Sequence, residues 1–339
     1  MVSILTIGDP HFKIDNMIEV ELFIQQIIKI AIDKNPDFIV VLGDLLHTHE
    51  RLHTIPLNKA HEFILKLRDI APVYVLIGNH DAINNQIFLT NNHWMNGMKE
   101  WKNVTIVDKV ISSSIKGFDF LFCPYVHPGR FIDALDTYGK WDDITAIFAH
   151  QEFYGCKMGV ITSTEGDKWQ LQFPLVISGH IHDKQFLQPN IYYTGSSMQH
   201  AFGETPNKTI AFIRFDEDGF HTEEIYLNLP KKKIIYISAD EVSDYKIPNG
   251  IDQLKISVSG TCEEFNAIKK TSNYKKLIQQ GIKVVFKPNK TVLEIQDNNP
   301  INLCFHTILR NSILDAKDSF LSQAYENIIG PISNNVIFL

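Results

Sequence analysis

Long apolar runs are missing from this 339-residue chain: nothing approaches the 18 consecutive apolar residues of a membrane-spanning helix. The opening MVSILTIGDPH reaches an acid and a histidine too early for the apolar stretch of a secretion signal. Cysteine is scarce. Cys123, Cys156, Cys262 and Cys304 are scattered with no Cys-x-x-Cys, which excludes a disulfide scaffold and a thiolate zinc module. They are expected to be free, buried thiols of a cytoplasmic protein. No internal repeat or low-complexity segment occurs. Positive charge is short overall, and a net −7 excludes a uniformly basic nucleic-acid binder. With 44% hydrophobic and 21% charged residues the composition is that of a folded protein, long enough for a main domain with appendages.

The charge is uneven. Residues 231–290 carry twelve lysines against six acids, about +6, leaving the remainder near −13. A separate module is therefore expected from about Pro230, its lysines serving either as a solvated face or as a surface for phosphates.

Short β-branched runs at 3–7, 38–42 and 73–77 read as strands. Helical spacing occupies 17–32 and 56–68, and a helix is predicted over 86–101. Strands dominate from there, at 104–107, 118–122, 145–148 and 175–177, followed by a hairpin of 209–215 with 220–227. The pattern is that of a layered α/β domain. After Pro230 come strands at 233–238, 254–259 and 282–286 and a helix over 263–279. Residues 301–329 lack Gly and Pro and read as helical, either one helix or a broken pair. Three parts follow: 1–230, 231–290 and 291–339.

Polar residues cluster where the strands stop. The first ends in Gly8-Asp9-Pro10-His11, the second in Gly43-Asp44-Leu45-Leu46-His47, the third in Gly78-Asn79-His80-Asp81. Two later strands end in Ala149-His150 and in Gly179-His180-Ile181-His182. Loops beyond the carboxyl ends of strands in α/β sheets converge on one crevice, so these five ends predict one polynuclear metal site. Asp, Asn and His are oxygen and nitrogen donors suited to manganese, iron or zinc. Two dications about 4 Å apart, bridged by a carboxylate, can activate water while clamping a phosphoryl group.

The ordered set resembles the calcineurin-like metallophosphoesterase superfamily over roughly residues 1–225. The resemblance implies the layered metallophosphoesterase fold, a β-sandwich flanked by helices. It implies that Asp9, His11, Asp44 and His182 hold one metal and Asp44, Asn79, His150 and His180 the other, with Asp44 as bridge. His80 would protonate the leaving oxygen, and Asp81 would steady the turn around it. The Asp-x-x-Asp-Arg-Gly and Gly-Asn-His-Glu signatures of the protein phosphatases are absent. Gly-Asp-Leu-Leu-His with Gly-Asn-His-Asp is instead similar to the SbcD and Mre-eleven nuclease subunits, compact phage or viral members especially. There the histidine at the position of His47 assists His80; a supporting role behind the site is the alternative.

That resemblance implies a manganese-dependent DNA exo- and endonuclease of break repair and recombination. Residues 254–288 would be its small α/β capping module, giving the lysines DNA to contact. The rivals are a phosphodiesterase or phosphatase acting on nucleotides or other small phosphoesters, and an architectural DNA-binding subunit. Two further expectations concern partners. A homodimer would form through 56–68 and 86–101, using Ile87, Phe88, Trp94, Met98 and Trp101. The C-terminal segment, with an apolar stripe through Phe305, Leu309, Ile313, Ala316, Phe320, Ala324 and Ile328, would dock an SbcC- or Rad-fifty-type ATPase or else pack on the chain's own core.

Overall fold

A computed structural model describes residues 1–49, 51–248, 250–289, 305–316 and 318–329. The chain opens with the strand–helix units its pattern calls for: β1 (Val2–Ile7), α1 (Met17–Lys34), β2 (Phe38–Val41), α2 (Thr54–Arg68), β3 (Val73–Leu76) and β4 (Val104–Val107). β1 to β4 pair in parallel. Their side chains alternate as the pleat requires. Leu5, Ile7, Ile39 and Val41 face α1 and α2, where Phe23, Ile27, Phe63 and Leu67 lie buried. Val2, Ile4, Phe38 and Val40 face the other way, onto Phe120, Phe122, Phe148 and Ile177 of a second sheet.

That sheet is built from β5 (Ile111–Ile115), β6 (Phe118–Cys123), β7 (Ala146–Ala149), β10 (Leu175–Ser178), β11 (Gln185–Gln188) and β12 (Ile191–Tyr193). It runs in the order β11-β12-β10-β7-β6-β5, parallel at its centre. Its outer face is covered by α3 (Phe131–Asp136) together with Trp141, Phe153 and Trp169. A small hairpin, β8 (Lys157–Met158) with β9 (Ile161–Thr162), lies in the long segment after β7. The chain then returns to the first sheet as the antiparallel hairpin β13 (Thr209–Asp216) and β14 (Gly219–Tyr226), giving the order β14-β13-β1-β2-β3-β4. The result is the expected sandwich flanked by helices.

The next residues form a third, three-stranded parallel sheet of β15 (Lys232–Ser238), β16 (Gln253–Gly260) and β17 (Lys283–Pro288). Val242, Ile256, Val258, Phe265 and Leu277 make its own apolar cluster. The helix expected over 263–279 is two: α4 (Cys262–Ile268) and α5 (Ser272–Gln279). The Thr271 hydroxyl donates to the Ile268 carbonyl at 2.7 Å and caps the Tyr274 amide, ending one helix and starting the next. Most lysines here are exposed, but Lys232 is not. Its ammonium is buried 3.3 Å from Glu19, and Gln199 grips its backbone, accepting from its amide at 2.7 Å and donating to its carbonyl at 3.0 Å.

Two further expectations change, and the homodimer stays an expectation. Residues 86–93 are not helical; one 3-10 helix, Trp94–Glu100, follows them. Asn84 and Thr90 side chains each accept from the backbone two residues on, at 2.8 and 3.0 Å, and Leu89 adopts a left-handed φ of 43°. These local bonds divert the backbone from a helix. Ile87 and Met98 are buried in the chain's own core, with Trp94 and Trp101 packed against it, so the homodimer rests on resemblance alone. Cys123 and Cys156 are buried free thiols but Cys262, at the start of α4, is exposed; Cys304 lies outside the described residues.

The C-terminal residues form a unit apart from residues 1–288. It holds the broken pair, α6 (Phe305–Asp315) and α7 (Ser319–Ile329). Asp318 caps the second, its carboxylate accepting from the Phe320 and Leu321 amides at 2.8 and 3.1 Å. Residues 301–304 of the predicted helix lie outside the described ones. No helix among the described residues is long and apolar enough to cross a membrane.

Candidate metal centre

The two six-stranded sheets face each other, and the carboxyl ends of β1, β2, β3, β7 and β10 meet at one edge of the sandwich. All seven expected ligands converge there. Of the eight non-glycine residues with positive φ among those described, four are in this set: Asp9 (42°), His11 (47°), Asp44 (50°) and His180 (76°). Each such conformation costs on the order of 1–3 kcal/mol and persists only where the surroundings impose it. Gly78 shows how tight the packing is: a Cβ there would lie 2.2 Å from Asp44 Oδ1 and 2.4 Å from the Asp44 amide.

The two carboxylates are held alike. Asp9 Oδ1 accepts from the His180 amide at 2.9 Å, and Asp44 Oδ1 from the His80 amide at 2.8 Å. Each is left one oxygen. Asp9 Oδ2 is buried without a hydrogen-bond partner. Asp44 Oδ2 sits 3.5 Å from His11 Nε2 and 3.4 Å from His150 Nε2, between the two halves of the cluster, where a bridging ligand belongs.

Four of the five remaining ligands have a neighbour at their other polar atom. His150 Nδ1–H donates to the Leu42 carbonyl at 2.7 Å, freeing Nε2. The Asn79 amide nitrogen donates to Asn85 at 3.2 Å, freeing its oxygen, which lies 3.0 Å from both His150 Nε2 and His180 Nδ1. His180 Nε2 lies 3.8 Å from Glu152. His182 Nδ1–H points to Glu204 at 3.3 Å, and its Nε2 faces His11 Nε2 at 3.2 Å.

These donors fit divalent ions. Free donor atoms 3.0 to 3.5 Å apart match ligands about 2.1 Å from a shared ion at angles of about 90–115°. Facing lone pairs and an orphaned buried carboxylate oxygen are costly without a cation among them. Electrostatics show the same frustration. Burial raises the pKa of Asp9. Burial opposes protonation of His150, yet the Asp44 carboxylate holds its pKa up at about 9. The residues expected at each metal are thus together: Asp9, His11, Asp44 and His182 in one pocket, Asp44, Asn79, His150 and His180 in the other.

His80 and His47 lie at the rim. Their rings stack at 5.6 Å, and His80 Nδ1–H donates to the His47 carbonyl at 2.6 Å, leaving Nε2 for a substrate. His49 also stacks on His80, at 4.6 Å. Asp81 accepts from the Gly78, Leu45 and Leu46 amides at 3.1, 3.3 and 3.2 Å and from the Trp94 indole at 3.1 Å. It ties the turns after β2 and β3 together. Sequence reasoning missed Glu204, Glu152, Asn85, His49 and His200. None carries a motif signal; each is recognisable only by what it touches.

Residues 2–184 match the family described as calcineurin-like phosphoesterase. The chain is 49% identical over 294 residues to putative phosphoesterase 078R of Invertebrate iridescent virus 3, covering 84% of each chain. It is 47% identical over 275 residues to putative phosphoesterase 244L of Invertebrate iridescent virus 6, covering 79% of this chain and 97% of that one. Among solved structures, GAP50, the anchor in the inner membrane complex of Plasmodium, overlaps 67% of this chain and 85% of its own at 14% identity and a TM-score of 0.42. With half of its length matched to one family and close relatives aligned along most of theirs, the chain belongs to the calcineurin-like phosphoesterases.

Proposed function

We propose that this phosphoesterase is a DNA nuclease, a phosphodiesterase using two divalent ions, manganese foremost, in break repair or recombination. One observation carries the reading. His47, stacked on His80 beside the ligand cluster, lines a cleft of about 1050 Å³ together with His49, Arg51, His53, Ile83, Asn84 and Asn85. A cleft this open, with imidazoles, an arginine and side-chain amides along it, suits a polymer better than a small ester. Bound in the cluster, two ions supply Lewis-acid polarisation of the phosphoryl group and a water nucleophile at neutral pH.

The chain's own groups do the rest. Burial depresses the pKa of His80, and burial with nearby Lys13 brings that of His47 to about 4, so both rings are neutral before substrate arrives. A phosphodiester seated beside them adds the negative charge that stabilises an imidazolium. Once the phosphodiester is seated, His80 takes a proton from solvent at Nε2 and gives it to the leaving sugar oxygen, its ring fixed by the His47 carbonyl. The exposed Lys269, Lys270, Lys275 and Lys276 of α4–α5 and the segments beside them offer phosphate contacts.

The test is cleavage of end-labelled duplex and single-stranded DNA against bis(4-nitrophenyl) phosphate, with manganese. Preferential DNA cleavage supports the nuclease; rapid small-ester turnover with DNA untouched assigns the site to nucleotides or other small phosphoesters. The C-terminal unit is the proposed dock for an SbcC- or Rad-fifty-type ATPase, supported by exposed Leu314, Phe320 and Leu321 on α6 and α7. A chain ending at Pro300 should cut short DNA while losing ATPase association and ATP-stimulated cleavage.

A further inference from the structure

We propose that His200 is a third imidazole ligand of the first metal pocket, binding through Nδ1 the ion held by His11 and His182. The inference rests on the reading of the cluster as a metal centre. Unpaired buried atoms point to it. Five buried side-chain polar atoms among the described residues lack a partner: Asp9 Oδ2, His200 Nδ1 and the hydroxyls of Tyr192, Ser197 and Thr222. A hydroxyl can rotate to donate to a weak acceptor. Asp9 Oδ2 and His200 Nδ1 are the two without a proton of their own, and both residues neighbour His11.

The tautomer of His200 is set by the backbone. Its Nε2 lies 2.8 Å from the Asp9 carbonyl, which can only accept, so Nε2 carries the hydrogen and Nδ1 a lone pair. The ring is 8% exposed and packs edge-on against His11 and His182, centroids 4.7 and 4.9 Å away. One ring nitrogen from each of His11, His182 and His200 falls within 4.8 Å of the other two. His11 and His182 turn lone pairs of their own to this place and cannot satisfy a third.

The ring is held where it is. The His200 amide donates to Glu204 at 2.9 Å, and the preceding Gln199 clamps Lys232 of β15. With Asp9, His11, Asp44 and His182 the first pocket has four expected ligands, and His200 would be a fifth, beside His11 and His182. The second pocket, with Asp44, Asn79, His150 and His180, has four. The added imidazole would make the first pocket the tighter one.

Two variants isolate Nδ1. In His200→Gln the amide nitrogen overlies ring Nε2 and keeps the bond to the Asp9 carbonyl; His200→Phe keeps the ring and its packing. Manganese binding is followed by equilibrium dialysis with metal analysis, circular dichroism confirms the fold, and pulsed EPR on 15N-histidine protein counts nitrogens on manganese at one ion per chain. Both variants should weaken the tight site at least about tenfold, with the count of bound histidine nitrogens falling by one. Unchanged affinity overturns the proposal. So does weaker binding with the nitrogen count intact, which would make His200 a positioning residue. A wild-type chain that binds no divalent ion overturns the metal-centre reading itself, which separates the two failures.

Discussion

Two parts of this molecule share one construction and end differently. The centres of the six-stranded sheets are parallel, and so is the whole three-stranded sheet of β15, β16 and β17. The first group ends in Asp, Asn and His with left-handed backbone; the third sheet ends in Ser238, Gly260 and Pro288. The difference is one of convergence. The single sheet leaves room for local partners at its strand ends: Glu241 accepts from the Ser238 amide and Glu264 from the Thr261 amide. Two sheets packed face to face push their ends against each other, so the turns are buried and strained and their free donor atoms have only one another. Such a place stores the unsatisfied charge that a cation resolves.

The largest expected effect breaks the convergent side. Asp44→Ala should bring metal-dependent hydrolysis to background and lower the bound metal of both pockets, because Asp44 Oδ2 stands between His11 and His150. Metal analysis beside kinetics checks it; retention of one ion with full affinity would deny the bridge. His80→Asn should keep the metals and lose about 10²- to 10⁴-fold in turnover, the usual worth of a proton donor. Full activity would remove His80 from the chemistry.

Proton competition gives the next effect. His150 has its pKa held at about 9 by Asp44, and a ligand must present an unprotonated nitrogen. Below pH 9 each binding event must therefore expel that proton. The apparent metal dissociation constant should rise about tenfold per unit fall in pH. Calorimetry in buffers of different ionisation enthalpy counts the released proton; pH-independent affinity between pH 6 and 8 would contradict it. The smallest effect tests the other side of the comparison. Lys269→Glu with Lys270→Glu should weaken DNA binding and flatten its salt dependence by about one unit of slope for each phosphate that is no longer neutralised. Hydrolysis of bis(4-nitrophenyl) phosphate should stay as it was. An unchanged DNA affinity would return these lysines to a solvated face.

The chain's local chemistry alone determined the strands, the main helices and the donor types at five strand ends. Alternation of Val, Ile and Phe needs only near neighbours, and so does the placement of Gly-Asp-Leu-Leu-His or Gly-Asn-His-Asp just past a strand. The segment at 86–93 eluded that reading because side chains of Asn84 and Thr90 compete for the backbone that apolar spacing would make helical. Tertiary structure alone decided which atom of each ligand is free. His150 owes its open Nε2 to a carbonyl 108 residues away, and His200 owes its lone pair to one 191 residues away. Residue type names a donor, but an imidazole has two nitrogens, and only the packed sandwich determines which of them keeps the proton.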